Sequence, residues 1–207
     1  MNELRALMNI PVRNADIAAL YPGLQSVNRK ISELERHGRI IRLKRGLYVV
    51  SPEENGRLVS GNLVANLLYG PSYVSMLTAL RDWGLIPERV EVYESMTTHL
   101  KVSFENAVGR FEYHHCGADY YPIGLTQREE CGVTYLTATP EKALCDYIVK
   151  TPRLPLRFLR QTYEFLEEDL RLDMDAFFEM DPEIFRECAA VSKKRNAINN
   201  IIKLLKR

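Results

Sequence analysis

The side chains best suited to chemistry are clustered in residues 26–50, SVNRKISELERHGRIIRLKRGLYVV. This stretch holds seven Lys or Arg residues and two Glu residues, a balance that favours binding to a polyanion. Arginine can donate two parallel hydrogen bonds to guanine, asparagine can bond adenine in the same way, and other cations more commonly meet phosphates. The stretch therefore offers base-contact candidates and phosphate-contact candidates: Ser26, Asn28 and Arg29 for bases, and Lys30, Arg36, Arg42, Lys44 and Arg45 for phosphates.

The same stretch has a second interpretation, as a solvated amphipathic helix followed by an exposed turn. Runs of charge are commonly of that kind, and Ser26 can cap a helix instead of contacting a base. The order of the features favours DNA, because a cap, an apolar stripe, a basic outer face and a basic hairpin follow one another within residues 26–50.

A second basic run ends the chain, with six Lys or Arg residues and no acidic residue from Ser192 onward. Basic side chains also suit the C-terminal end of a helix, where they interact favourably with the helix dipole. Two interpretations therefore stay open, stabilisation of a helix end and a second contact to DNA or RNA. The candidates for the second contact are Lys193, Lys194 and Arg195.

Two other groups could suggest a metal site or catalysis, and the sequence favours neither. His114 and His115 are adjacent, so on a strand they point to opposite faces and cannot easily share one ion. In residues 139–146, TPEKALCD, the neighbours Glu141 and Lys142 point about 100° apart on a helix and do not converge by themselves. No P-loop, nucleophile elbow or zinc-protease motif occurs. The sequence thus predicts no catalytic residue, no metal and no cofactor, and a protein that is not an enzyme.

The overall charge is +1, but it is distributed unevenly along the 207 residues. Residues 1–50 hold nine Lys or Arg and four Asp or Glu, a balance of +5, whereas residues 51–207 hold nineteen and twenty-three, a balance of −4. This asymmetry indicates a polyanion-binding module attached to a second unit. Without a signal peptide or a membrane-spanning apolar run, we expect a cytoplasmic protein with no membrane partner, whose four cysteines are reduced and mostly buried.

The elements predicted for the first fifty residues follow the order of a winged helix-turn-helix. Short helices are predicted at Asn2–Met8 and after Asn14, and a third runs from the cap Ser26 to His37 with Val27, Ile31 and Leu34 as its buried stripe. Two strands, 39–43 and 47–50, then flank a turn that ends in glycine. In this arrangement the third helix would lie in the major groove and the hairpin along the backbone.

The predicted fold class is α+β, with three segments. Residues 1–50 are the winged helix-turn-helix DNA-binding domain, residues 51–57 (SPEENGR) are the linker, and residues 58–207 are a mixed α/β domain that ends in helices. Helices are predicted at 58–69, at 73–83 and from Pro140, strands within 90–116 and 132–138, and helix from 156 to the end.

The chain resembles the AbiEi-type antitoxin and transcriptional regulator family of bacterial abortive-infection toxin–antitoxin systems. Four segments carry the resemblance: HGRIIRLKRGLYVV, YVSMLTALRDWGLIPERVEVYESMTT, GRFEYHHC and ATPEKALCD. It covers about residues 1–150, and the helical C-terminal part is similar only in general character.

The resemblance implies a phage-defence antitoxin that represses its own two-gene operon by binding inverted repeats in operator DNA. It also implies a nucleotidyltransferase-like toxin as the functional partner, and it leaves direct contact with that toxin open. Two other classes of function remain from the residues: an enzyme or toxin-modifying protein with the winged helix as a docking element, and a ligand-sensing winged-helix regulator, which would need an apolar pocket.

Overall fold

The chain has an α+β fold, which the computed structural model describes for residues 3–88, 91–154 and 156–206. Three residues used in the predictions of helices and strands lie outside these ranges: Asn2 of the first predicted helix, Val90 at the start of the predicted strand region, and Arg207 at the end of the predicted helical region. None of the described helices is long and apolar enough to cross a membrane. Of the four cysteines, which are all free, Cys131 is exposed and the other three are buried, as the sequence predicts.

The first fifty residues form a small unit of helices around a three-stranded sheet. A 3-10 helix spans Glu3–Leu7, and the remaining elements are β1 (Val12–Arg13), α1 (Asn14–Ala19), α2 (Val27–Arg36), β2 (Ile40–Lys44) and β3 (Leu47–Val50). The strands are antiparallel in the order β1-β3-β2. Asn14 is the first residue of α1 and not its cap, because Arg13 takes the cap position and its backbone N–H donates to Asp16 Oδ2 at 2.7 Å.

Helix α2 forms where the sequence predicts it, for local reasons. The Ser26 hydroxyl oxygen accepts the Arg29 backbone N–H at 3.4 Å and caps the first turn. Ile31 and Leu34 are buried on one side of the helix. The helix ends before Gly38, which adopts the left-handed conformation (φ 67°) that closes many helices at low cost.

Residues 51–57, predicted as a linker, contain a short helix packed against the N-terminus. This helix is α3 (Pro52–Asn55), and the Asn55 side chain donates to the Met8 carbonyl at 2.7 Å. The Arg39 guanidinium pairs with the Glu54 carboxylate at 2.6 Å. The polar side chains that suggest a flexible connection are therefore used to hold this segment onto the first unit.

The second part of the chain is built on a six-stranded mixed sheet. Its strands, in the order β6-β7-β5-β4-β9-β8, are β4 (Ser72–Val74), β5 (Val92–Thr97), β6 (Val102–Asn106), β7 (Gly109–His115), β8 (Leu125–Glu130) and β9 (Val133–Ala138). Strand β8 has no counterpart in the sequence prediction. Strand β4 replaces the beginning of the helix predicted at 73–83, because Tyr73 and Val74 lie in the middle of the sheet and are buried on opposite faces.

Helices cover both faces of this sheet. The helices are α4 (Gly61–Leu68), α5 (Met76–Asp82), α6 (Pro140–Lys150), α7 (Leu159–Glu164, continued by a π-helical turn Phe165–Asp169), α8 (Met174–Phe178), α9 (Pro182–Val191) and α10 (Arg195–Leu205). Helix α4 packs on the face that Val74 points to, and α5 and α6 pack on the face that Tyr73 points to. Helices α7, α9 and α10 lie on the outer side of α6 and complete the larger core.

The β2–β3 hairpin joins the two parts because both of its faces are buried. Tyr48 and Val50 face α1 and α2, whereas Leu47 and Val49 share a hydrophobic cluster with α4 and the large sheet. The small sheet therefore has α1 and α2 on one face and α4 with the edge strand β6 on the other, and beyond α4 follow the large sheet, α5 and α6, and finally the C-terminal helices.

Candidate nucleic-acid interface

One side of α2 is polar and exposed, and it lies opposite the buried stripe. Asn28, Arg29, Ser32 and Arg36 are all exposed. Since each helical residue turns about 100°, these four side chains fall within an arc of about 100° centred away from Ile31. We call these four residues the outer face of α2. It combines a guanidinium pair with an amide and a hydroxyl, which are the side chains that bond base edges and phosphates.

The guanidinium groups of three arginines near α2 have no hydrogen bond or ion pair to any described residue. They are Arg29 and Arg36 on the outer face, and Arg45 at the exposed tip of the hairpin. Arg45 precedes Gly46, whose left-handed backbone (φ 79°) closes the turn. All three guanidinium groups are therefore available to an anion that approaches this end of the molecule.

Two other basic candidates, Lys30 and Arg42, are held by glutamates of α2. The Lys30 ammonium lies 3.2 Å from Glu33 Oε1 and 5.1 Å from the centre of the Tyr21 ring. The hydrogen bond from Lys30 lowers the pKa of Glu33. Arg42 pairs with Glu35 at 2.6 Å. Both pairs are partly exposed to solvent, where ion pairs contribute little to stability, so a phosphate can replace the carboxylate at small cost.

Lys44, a phosphate-contact candidate, is engaged with the second part of the chain. Its ammonium donates to the Leu68 carbonyl at the end of α4 at 2.6 Å and lies 6.0 Å from the Phe104 ring centre. The Asn106 side chain donates to the neighbouring Leu43 carbonyl at 3.1 Å. The hairpin end is therefore docked on α4 and β6, which places Lys44 on the far side of the small sheet from the outer face of α2.

Ser26, a base-contact candidate, caps α2 through its hydroxyl oxygen, as the alternative interpretation predicts. Its hydroxyl hydrogen is still available to donate, and the residue is exposed. The side-chain amide of Asn28, two positions later, makes no hydrogen bond to a described residue. Of the base-contact candidates, Asn28 and Arg29 therefore present their polar groups fully to the outside.

The three candidates for a second nucleic-acid contact near the C-terminus differ in their partners: two donate to backbone carbonyls of the protein, and one has no described partner. The Lys194 ammonium donates to the carbonyls of Ile148 (2.8 Å) and Thr151 at the end of α6, and burial lowers the pKa of Lys194. Arg195 donates to the Ala189 carbonyl at 3.2 Å near the end of α9. Lys193 is exposed and has no described partner. These bonds satisfy carbonyls that the ends of helices leave unpaired.

A buried ionic pair in α6 was missed by the sequence analysis. Lys142 and Asp146 are both fully buried, and the ammonium lies 3.2 Å from Asp146 Oδ1. The other carboxylate oxygen accepts the Ser75 hydroxyl at 2.6 Å and the Tyr73 hydroxyl at 3.0 Å. The spacing of four residues was a usable signal, because such residues lie on the same side of a helix. The adjacent residues Glu141 and Lys142 do not converge, as predicted.

The surroundings of this pair are those of a protein core. The Lys142 ammonium also donates to the Tyr120 carbonyl at 3.0 Å and lies 3.1 Å from the centre of the Tyr120 ring. Burial raises the pKa of Tyr73 well above its ordinary value, and it raises that of Cys116 to about 11. With both charged groups at 0% exposure, no substrate can reach them in this conformation, and their role is to hold α6 against β4.

The two neighbouring histidines of β7 point in different directions. His115 is exposed, and its Nδ1 lies 3.0 Å from the His99 carbonyl oxygen. His114 is half-buried on the other side of the strand, and burial lowers its pKa. Within the described residues, no three His, Cys, Asp or Glu side chains are arranged to hold a metal ion.

No protein-family model matches the chain, and no curated protein matches its sequence.

Removing the carboxylate of Asp146 should strongly destabilise the protein. In Asp146→Ala the Lys142 ammonium stays buried without its counter-ion, and such a loss commonly costs about 3–5 kcal/mol. Urea unfolding followed by circular dichroism measures the change. The matched control is Asp119→Ala, since Asp119 is exposed and unpaired among the described residues. We expect the control to change the free energy of unfolding by less than about 0.5 kcal/mol. Equal effects of the two substitutions would contradict this role of the pair.

Proposed function

We propose that the protein is a sequence-specific DNA-binding repressor in which residues 1–50 form a winged helix-turn-helix and α2 enters the major groove. The observation that carries the proposal is the outer face of α2, where Asn28, Arg29 and Arg36 are exposed and unpaired within the described residues. An exposed helix side with an amide and guanidinium groups fits the major groove, which is wide enough for a helix and presents a distinct pattern for each base pair.

The contacts proposed for this surface differ in what they contribute. Asn28 and Arg29, in the first turn of α2, are assigned to base edges, because recognition helices commonly contact bases with their N-terminal residues. Arg36 and Arg45 are assigned to phosphates, which position the protein without reading the sequence. Lys30 and Arg42 can join them by exchanging a glutamate for a phosphate. Lys44 is not assigned to DNA, since the Leu68 carbonyl accepts its hydrogen bond.

We further propose that residues 58–207 give the protein an antitoxin role, within an operon that also encodes a nucleotidyltransferase-like toxin. The support is the resemblance to AbiEi-type regulators together with where its segments lie. Lys142 and Asp146, which form the buried pair, come from one of those segments. Tyr73 and Ser75 from a second segment and Cys116 from a third lie around that pair. The segments that carry the resemblance in this part of the chain thus form one packed centre.

The base-contact role of Arg29 predicts a sequence-dependent loss of affinity. A duplex selected from a random library and a scrambled version of it are titrated at several salt concentrations. We expect Arg29→Ala to weaken binding to the selected duplex by about 1–3 kcal/mol and to reduce discrimination against the scrambled one. Arg45→Ala is the matched control, since it should weaken both duplexes similarly and lower the slope of log affinity against log salt by about 0.9. If Arg29→Ala weakens both duplexes equally, Arg29 does not read bases.

The antitoxin role predicts that neutralisation does not need the outer face of α2. Cells that express the toxin encoded by the neighbouring gene should regain growth when the full-length protein is co-expressed. The Arg29→Ala variant should restore growth equally well, because Arg29 lies on the opposite side of the small sheet from residues 58–207. Both proteins are expressed from an unrelated promoter, so that repression plays no part. Failure of both to restore growth would remove the antitoxin role and leave the repressor.

A further inference from the structure

A groove of about 940 Å³ runs along α10 at the C-terminal end of the molecule. One wall is the segment before α7, which contributes Arg153 and Arg157. The other wall is α10, which contributes Lys203, together with Lys206 directly after the helix. Lys194 lies at one end of the groove. Five cations therefore line it, and none of the described lining residues is acidic. We call this the terminal groove.

Four of these cations are available for a ligand. The side chains of Arg153, Arg157, Lys203 and Lys206 have no hydrogen bond or ion pair to a described residue. The Lys194 ammonium, in contrast, donates to backbone carbonyls of α6 and the residue that follows it. Like charges held together repel one another, so an arrangement of this kind is favourable when an anion lies among them. The sequence candidates Lys193 and Arg195 do not line the groove.

The other surfaces of the groove suit nucleotides better than isolated phosphate. The amides of Asn196 and Asn199 lie on its α10 side, and Leu154 adds an apolar surface. The residue that follows Arg157 in the chain is Phe158, which does not line the groove but exposes 66% of its surface. Grooves that bind single-stranded nucleic acid combine cations along the backbone with aromatic rings on which bases stack.

The position of the groove separates it from any DNA held by α2. Between them lie the small sheet, α4, the large sheet and α6, so the two surfaces are at opposite ends of this succession of packed elements. A straight duplex on the outer face of α2 cannot also enter the terminal groove, because the protein stands between them. A ligand of this groove is therefore a second molecule.

The charges around α10 favour one strand over a duplex. A neighbouring surface of α10, around Leu204, is lined by Glu164, Glu167 and Glu168 together with Arg160, which pairs with Glu164 at 2.7 Å. A duplex is wide enough to bring a second backbone against these carboxylates, which would repel it. A single strand can follow the cations and stay clear of the acidic flank.

We propose that the terminal groove binds a single-stranded nucleic acid, with Arg153, Arg157, Lys203 and Lys206 on its phosphates and Phe158 as a stacking surface. This site is distinct from the DNA interface at α2 and does not depend on it. Binding at one surface leaves the other free, so the protein can hold a duplex and a strand together.

The test measures binding of labelled oligouridylate of about ten nucleotides to the full-length protein across a salt series. On a single strand each phosphate contact contributes about 0.7 to the slope of log affinity against log salt, so the double variant Arg157→Ala/Lys203→Ala should lower the slope by about 1.4. The matched control is Arg57→Ala/Lys101→Ala, which removes one Arg and one Lys that are exposed elsewhere. The control and Arg29→Ala should bind the strand as the unsubstituted protein does.

Two further ligands make the outcome decisive. The duplex selected for α2 should bind the groove variant with unchanged affinity, and oligodeoxythymidylate shows whether RNA is preferred. Equal binding of both strands supports recognition through phosphates and stacking, and tighter RNA binding supports the same groove with the asparagines at the 2′-hydroxyls. The proposal is overturned if the groove variant and its control have the same slope, if Arg29→Ala weakens strand binding as much, or if the groove variant weakens binding of the selected duplex.

Discussion

The arrangement of the whole molecule depends on the burial of both faces of the β2–β3 hairpin. Tyr48 and Val50 are covered by the first helices, while Leu47 and Val49 are covered by α4 and the large sheet. At about 25 cal/mol per Å² of buried apolar surface, separating the two parts would expose the second pair at appreciable cost. The orientation of α2 is therefore fixed relative to the second part, and its polar side faces outward.

The elements that the sequence predicts well are those determined by neighbours along the chain. Helix α2 has a serine cap, an apolar stripe and a closing glycine, and helix α6 has Thr139 as its cap followed by Pro140. Both helices form where predicted, because capping and periodicity are local properties. The pattern also predicts the return strand at 47–50 correctly. Its burial on both faces depends on α4, which is distant in the chain and packs against it in the fold.

The sequence does not show which residues that are far apart in the chain become neighbours in the fold. Tyr73 was predicted to begin a helix, and only its strand neighbours in β5 and β9 make that segment extended. Lys44 and Arg45 are both positively charged and exposed. The Lys44 ammonium donates to the Leu68 carbonyl, whereas the Arg45 guanidinium has no described partner, so only Arg45 is assigned to phosphate. Counting charges predicts an anion-binding surface at this end of the chain, and tertiary contacts determine which of its cations have no partner in the protein.

The most direct test of this account is to find which side of the molecule touches duplex DNA. A photo-crosslinking phenylalanine derivative is placed at Ser32, on the outer face of α2, or at Asn199, beside the terminal groove, and each protein is irradiated with the selected duplex. The account predicts a covalent adduct from position 32 and none from position 199, because the protein's full thickness separates the two. An adduct from position 199, or equal adducts from both positions, would contradict it.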